Sequence, residues 1–329
     1  PKACTPTVPI DSDTKINTDP TVKSSREFPD CMKSSKPIAP LPTDCIEQIY
    51  KEKGPMENTV EHSALEKMKG FAYRTVLGEL MYAYITCRPD IGYAVTTLSK
   101  FSTSPSAYHY KLLKGVAKYL RSTISWGIRF HRKEALIYEG LQAVECYTIP
   151  DDNGFGEQCN INQMKLIGFV DAAYANDHRK RRSTTGLAFT LCGGAIVYKS
   201  KTQSLTAVSS TEAEFIAAFD AGKICRYLRM ILKQLGYEQK EATIINIDNQ
   251  AALQIINDNT SPTERTRHID VRYWAIQDWI QDKSIFMQWI PGPLNISDAE
   301  TKPLGYVLHA RHCRRMMGHY TPLQITGIT

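Results

Sequence analysis

Two apolar runs of strand length in this chain each carry one aspartate, and a third acid heads the long helical pattern between them. Leu166-Ile-Gly-Phe-Val-Asp-Ala-Ala-Tyr174 contains Asp171, and Thr243-Ile-Ile-Asn-Ile-Asp248 ends on Asp248. Runs rich in Ile, Val and Phe read as buried strands. Between them, Ser209-x-x-Glu212 and Thr211-x-x-Glu214 are overlapping capping boxes that open a helix, and Gly236 closes it. From residue 164 to 304 the order is strand, strand, strand, helix, strand, helix, helix, strand, helix. Gly193-Gly194, between Leu187–Leu191 and Ala195–Tyr198, is a two-residue hairpin signal. Ser284-Ile-Phe-Met-Gln-Trp-Ile290 alternates and stops at Pro291-Gly-Pro293. That series predicts an α/β fold, a mixed sheet flanked by helices.

A fourth acid, Asp298, lies in Ser297-Asp-Ala-Glu-Thr-Lys-Pro-Leu304. A strand, a helix, a second strand and a second helix can each deliver one carboxylate to one point. Such a cluster stays ionised only with cations in it, because like charges a few Å apart repel strongly. Oxygen-only ligands favour Mg²⁺ or Mn²⁺, and the expected chemistry is metal-assisted cleavage or transfer of a phosphodiester. Each acid also has an ordinary reading. Asp171 fits a strand end at an exposed turn, and Asp248 fits a helix N-cap. Glu212 competes with Glu214 because one of them serves as the reciprocal cap. Glu300 competes with Asp298, since either fits a helix first turn.

The chain has 329 residues, enough for two modest domains. A net charge of +6 permits nucleic-acid binding without establishing it. Nine cysteines without a C-x-x-C pair read as reduced intracellular thiols, neither a disulfide frame nor a zinc site. No apolar stretch approaches a membrane span, and no signal-peptide series is present. Proline crowds the segment from Pro1 to Pro55, so residues 1–61 read as a poorly ordered lead-in. Residues 62–133 read as helical: Leu77, Leu80, Met81 and Tyr84 recur at spacings of three and four, as do Leu112, Val116, Tyr119 and Leu120. Lys100, Lys111, Lys114, Lys118 and Arg121 either line a nucleic-acid path or make a solvated face. Residues 134–163 read as a connector, 164–304 as the α/β domain and 305–329 as a basic tail. Asp151-Asp152 follows Pro150 and precedes Asn153-Gly154, the wrong setting for a polymerase carboxylate pair, so DNA synthesis is not expected.

The same residues carry a family resemblance. Gly168-Phe-Val-Asp-Ala-Ala-Tyr-Ala175, Arg182-Ser-Thr-Thr-Gly186 and Tyr198-Lys-Ser-Lys-Thr-Gln203 resemble the ribonuclease H domain of Ty1/copia-type retrotransposon polyproteins. Ser209-Ser-Thr-Glu-Ala-Glu-Phe215, Asp248-Asn-Gln-Ala-Ala252, Arg267-His-Ile-Asp-Val-Arg-Tyr273 and Thr301-Lys-Pro-Leu304 continue the match in order. Upstream, Tyr73-Arg-Thr-Val-Leu-Gly-Glu-Leu-Met-Tyr82 and Arg88-Pro-Asp-Ile-Gly-Tyr-Ala-Val95 resemble the segment after the polymerase palm. The chain departs from the family at Ala173, where a second aspartate is usual.

The resemblance implies a ribonuclease H-like five-stranded mixed sheet, preceded by a small helical connection or thumb-like region. It implies an endonuclease that cuts the RNA strand of RNA–DNA hybrids as part of a reverse transcriptase. Asp171, Glu214, Asp248 and Asp298 are then the catalytic and metal-binding residues, around two Mg²⁺ (or Mn²⁺) about 4 Å apart. Palm and fingers missing from this chain are the implied partners, and the implied setting is cytoplasmic, in a virus-like particle. Neither a membrane nor a small-molecule cofactor is expected. For nucleic-acid binding the candidates are Arg179, Lys180, Arg181 and Arg182 as a basic run, Lys199 and Lys201 alternating on one strand, Asn249 and Gln250 beside the cluster, and Arg267 and His268. Against the enzyme stand a catalytically inactive nucleic-acid-binding remnant and a purely structural or protein-interaction role. His309, His312 and Cys313 superficially suggest zinc, but a fourth ligand is not evident.

Overall fold

The computed structural model describes residues 39–130, 146–149, 157–160, 164–257, 270–318 and 321–322. Five helices come first: α1 (Cys45–Lys51), α2 (Val60–Lys69), α3 (Tyr73–Cys87), α4 (Gly92–Ser99) and α5 (Ala107–Ser122). Strands β1 (Cys146–Ile149) and β2 (Glu157–Asn160) follow, then β3 (Ile167–Ala173), β4 (Thr184–Leu191) and β5 (Gly194–Thr202). The remaining elements are α6 (Ser210–Gln234), β6 (Thr243–Ile247), α7 (Gln250–Asn257), α8 (Asp270–Gln281), β7 (Ile285–Trp289), α9 (Tyr306–Met316) and β8 (Thr321–Pro322).

The main sheet has the order β5-β4-β3-β6-β7. β3, β4 and β5 run antiparallel in sequence, while β6 pairs parallel with β3 and β7 parallel with β6. This is the ribonuclease H-like mixed sheet, and the order of elements matches the reading of the sequence through β7; the helix expected around Asp298 is instead the 3₁₀ turn Ile296–Glu300, and α9 begins only at Tyr306. The β4–β5 hairpin turns on Cys192 and Gly193, at φ 51° and 81°. Two successive positive φ values suit the twist of a two-residue hairpin. The turn therefore sits one residue earlier than Gly193-Gly194 suggested, and Gly194 pairs with Leu191.

Helix α6 lies across this sheet and presents Ala213, Ala217, Ala218, Ala221 and Cys225, all buried in the core with Val170, Leu187 and Ile245. Small side chains let the helix axis approach the strands closely. Gly222 continues that surface on the other side: a Cβ there would lie 2.6 Å from the Trp279 ring of α8. The helix starts where Ser209 Oγ accepts from Glu212 N at 3.1 Å. It ends at Gly236 (φ 84°), with Tyr237 N donating to Leu232 O and Gly236 N to Lys233 O.

The helical block buries Tyr73, Leu77, Leu80 and Tyr84 of α3 against Leu112, Val116 and Tyr119 of α5. Met81 and Leu120, expected on the same faces, are only partly buried. Two expected boundaries give way here. The lead-in over 1–61 holds a folded part, since Leu41, Cys45 and Ile49 are buried in this core and His109 Nε2 lies 2.9 Å from Ile49 O. The tail expected over 305–329 contains α9, whose Cys313 and the following Met317 belong to the same core. Clustered Arg and His hid the apolar stripe of that helix. The expected connector contributes β1 and β2, and β1 pairs with both β2 and β8 in a separate three-stranded sheet.

The block and the main sheet also meet through polar groups. Tyr84 Oη donates to the buried Glu300 Oε2 at 3.0 Å and accepts from Ser200 N at 2.8 Å. Thr96 and Ser200 hydroxyls lie 3.0 Å apart. No helix among the described residues is long and apolar enough to cross a membrane.

Candidate metal centre

Asp171 sits near the end of β3, the central strand, and pairs with Gly186 of β4. Glu214 lies in the first turns of α6, on the helix face turned to the sheet. Its competitor, Glu212, is engaged elsewhere: Glu212 Oε2 accepts from Val208 N at 2.6 Å, closing the helix start. Asp248 follows β6, next to β3. It is not the N-cap of α7, because Asn249 Oδ1 takes that role by accepting from Ala252 N at 2.9 Å. The local ordinary jobs are thus filled by neighbours, which leaves Glu214 and Asp248 for another one.

Asp171, Glu214 and Asp248 each bring one carboxylate oxygen within 4.8 Å of the other two. Among the described residues no other group of His, Cys, Asp or Glu converges in this way. Asp298, from the 3₁₀ turn Ile296–Glu300, lies beside Asp171 but outside that group of three. Its competitor Glu300 points away to Tyr84. Asp298 is paired with Lys302 Nζ at 2.9 Å, and the same ammonium lies 3.9 Å from Asp171 Oδ2. The Thr301 hydroxyl donates to Asp171 Oδ2.

Burial, then the charges of Asp171 and Asp248, push the Glu214 carboxyl up to about 10. Burial and Asp171 push Asp298 up to about 8, against the opposing pull of Lys302. The same two causes raise Asp248. Crowded, desolvated carboxyls of this kind regain their charge when a cation enters. Glu214 Oε2 is buried and has no hydrogen-bond partner among the described residues. An all-oxygen donor set with an orphaned buried oxygen fits a hard divalent ion such as Mg²⁺ or Mn²⁺.

Several residues that shape the centre carry no signal in the sequence. Asn295 is fully buried; its Nδ2 donates to Val170 O at 2.9 Å, and its Oδ1 accepts from Ser297 Oγ at 2.5 Å. It ties the Asp298 turn to the strand that holds Asp171. Arg315, from the unexpected helix α9, donates to Leu294 O at 2.8 Å and braces the same loop.

The nucleic-acid candidates are spread more widely. Arg179–Arg182 form a turn held by Asp177, whose Oδ1 accepts from Arg179 N at 3.0 Å and Lys180 N at 3.2 Å. Arg179 turns to the helical block: its guanidinium lies 4.1 Å from the Phe101 ring centre and donates to Lys100 O. Lys100 Nζ in turn lies 3.5 Å from Asp177 Oδ2. Lys180 and Arg181 are exposed, and Arg182 is half-buried. Lys199 and Lys201 are exposed on the edge strand β5. Because Asp171, Gly186 and Ser200 stand in one row across the strands, strand alternation puts both lysines on the other face. Gln250 is exposed at the start of α7. Arg267 and His268 lie outside the described residues, as does Asp151-Asp152. His309 and Cys313 approach to 3.5 Å inside the packed helix α9 and lie outside any converging ligand group among the described residues.

No family model matches the chain. It is 33% identical over 271 residues to the "Retrovirus-related Pol polyprotein from transposon TNT 1-94" of Nicotiana tabacum, covering 82% of this chain and 18% of that protein. It is 34% identical over 154 residues to "Secreted RxLR effector protein 161" of Plasmopara viticola, covering 47% of this chain and 89% of that one. Among solved structures, LC11-RNase H1 in complex with an RNA/DNA hybrid aligns with 42% of this chain and 94% of its own, at 15% identity and a TM-score of 0.33. The chain thus spans about a fifth of the polyprotein it matches along most of its own length.

Proposed function

The chain belongs to the Ty1/copia-type retrotransposon Pol polyproteins, and on that premise we propose that it cuts the RNA strand of RNA–DNA hybrids by hydrolysis. One observation carries the proposal: Asp171, Glu214 and Asp248, from two strand ends and a helix start, converge within 4.8 Å. In this reading Asp171, Glu214, Asp248 and Asp298 hold two divalent cations, Mg²⁺ or Mn²⁺. When bound, the cations lower the pKa of an attacking water and stabilise the departing oxygen.

The chain's own residues do the remaining work. Asp171 adjoins Glu214 and Asp248 and shares Lys302 with Asp298, so it would help to hold either ion. Asn295 and Thr301 fix the Asp298 turn and the Asp171 carboxylate relative to each other. Capping engages Asn249 Oδ1 and is compatible with donation from its Nδ2 to a 2′-hydroxyl, the group that separates RNA from DNA. Lys180, Arg181 and Arg182 suit sequence-independent phosphate contacts.

A hybrid with labelled strands, incubated with the protein and Mg²⁺, tests this reading. The RNA strand alone is cut, to 5′-phosphate and 3′-hydroxyl ends, and Asp171→Asn lowers the rate by roughly 10²-fold or more while hybrid binding persists. Normal cutting by Asp171→Asn contradicts the site. Hybrid binding without any cutting by the parent protein supports the competing reading, a binding module that no longer cleaves.

A further inference from the structure

The notch between Asp171 and Asp298 already contains a positive charge from the chain itself. Lys302 Nζ lies 2.9 Å from Asp298 Oδ1 and 3.9 Å from Asp171 Oδ2. Asp298 and Lys302 are four residues apart, and Thr301 between them donates to Asp171. The segment from Asp298 to Lys302, which leaves the turn Ile296–Glu300, therefore carries an acid and its counter-ion to one spot as a unit. On the other side of Asp171, Glu214 and Asp248 form no ion pair among the described residues, Lys302 acts on Asp248 only beyond ion-pair distance, and Glu214 Oε2 is orphaned. The two halves of the centre differ: one is an open carboxylate nest, the other is plugged by a lysine.

We propose that Lys302 is a tethered cation that occupies the second metal position, so a divalent ion binds first at Asp171, Glu214 and Asp248 and must displace the ammonium to bind at Asp171 and Asp298. The lysine side chain is 44% exposed, so its ammonium can swing into water without disturbing the core. An ammonium is a compact point charge that partly replaces a cation's field, yet it binds no water as a ligand for attack. Lys302 thus keeps the acids from repelling one another before ions arrive and makes second-site occupancy depend on ion concentration. It is a positioning residue in this account. The inference rests on the metal-centre reading above, and its test reads binding rather than cleavage.

Calorimetric Mn²⁺ titration of the full chain, without nucleic acid, compares the parent with Lys302→Met and Lys302→Arg. The parent shows one tighter and one weaker site. Lys302→Met tightens the weaker site by about tenfold or more and leaves the tighter one unchanged, and Lys302→Arg restores the parental pattern. Identical two-site isotherms for the parent and Lys302→Met overturn the Lys302 assignment and leave the metal centre standing. Absence of any Mn²⁺ binding in all three proteins overturns both. A second measurement needs no variant: amine acylation of the parent, read by mass spectrometry. Lys302 is protected without ions and becomes several-fold more reactive at saturating Mn²⁺, relative to the distant Lys233. Unchanged relative reactivity contradicts displacement.

Discussion

Asp90 and Asp171 are almost equally deep, 2% and 4% exposed, and they illustrate two fates for a buried charge. Asp90 begins the turn into α4 and receives both Nε and Nη2 of Arg88, at 2.9 and 2.6 Å. Arg88 also donates to Thr123 O, and the Asp90 carbonyl lies 2.9 Å from His309 Nε2. The chain itself supplies the counter-charge and the hydrogen bonds there. Asp171 has Glu214, Asp248 and Asp298 as neighbours, with one hydroxyl and one flexible lysine on its far side. Burial alone therefore does not mark a functional acid. Burial among several like charges, with too little internal counter-charge, does.

The largest effect expected from breaking this contrast is on the Arg88 side. Arg88→Met strands the Asp90 carboxylate in a dry core and should cost about 3–5 kcal/mol of stability by denaturant unfolding. The matched change at the metal centre has the opposite sign. Asp171→Asn removes a charge from a repelling group, so the ion-free protein should hold or gain stability while losing Mn²⁺ binding. If both variants destabilise alike, the two buried aspartates are not different in kind.

The pH dependence sharpens the same comparison. The Glu214 carboxyl sits at about 10 and Asp298 at about 8, above their unfolded values near 4. Groups raised in the folded state favour folding fully below the unfolded pKa, and that contribution disappears as pH rises through the folded value. Stability without ions should therefore fall between about pH 4 and 10, and saturating Mg²⁺ or Glu214→Gln should flatten the fall. In the helical block, burial lowers His109, His309 and His312. Their contribution is present above about pH 6.5 and shrinks as the pH drops below it. Thermal unfolding across pH, with and without Mg²⁺, checks both limbs. A Mg²⁺ effect confined to the acid limb would contradict the assignment.

Smaller effects concern the contacts around these two centres. Tyr84→Phe removes the donor to Glu300 and the acceptor of Ser200 N, at a cost of about 1–3 kcal/mol by denaturant unfolding. Asn249→Ala removes a helix cap and should cost about 1 kcal/mol. If it also erases the preference for RNA over DNA strands, Asn249 reads the substrate as well as capping α7.

Much of the main domain was legible because its signals are local. Apolar runs, Ser209 and Glu212 at a helix start, and Gly236 at its end each act within a few residues. The acids could be read as candidates by their placement, but the sequence left Glu212 against Glu214 and Glu300 against Asp298 open. Those choices depended on Val208 N and Tyr84 Oη, groups supplied by the fold. Helix α9 was missed because five basic residues (His309, Arg311, His312, Arg314 and Arg315) mask its apolar side. Several of them are buried, including His309, His312 and Arg315. Arg179 points to the same lesson: basic residues read as a phosphate clamp include one whose ring stacking and carbonyl contact tie the sheet to the helical block.

Crystals of the full chain soaked in Mn²⁺, measured for anomalous scattering, test the central claim most directly. The account predicts a peak bounded by the carboxylates of Asp171, Glu214 and Asp248, with oxygen ligands at about 2.1–2.3 Å. A map with no peak there, or with manganese only at surface acids, would contradict it.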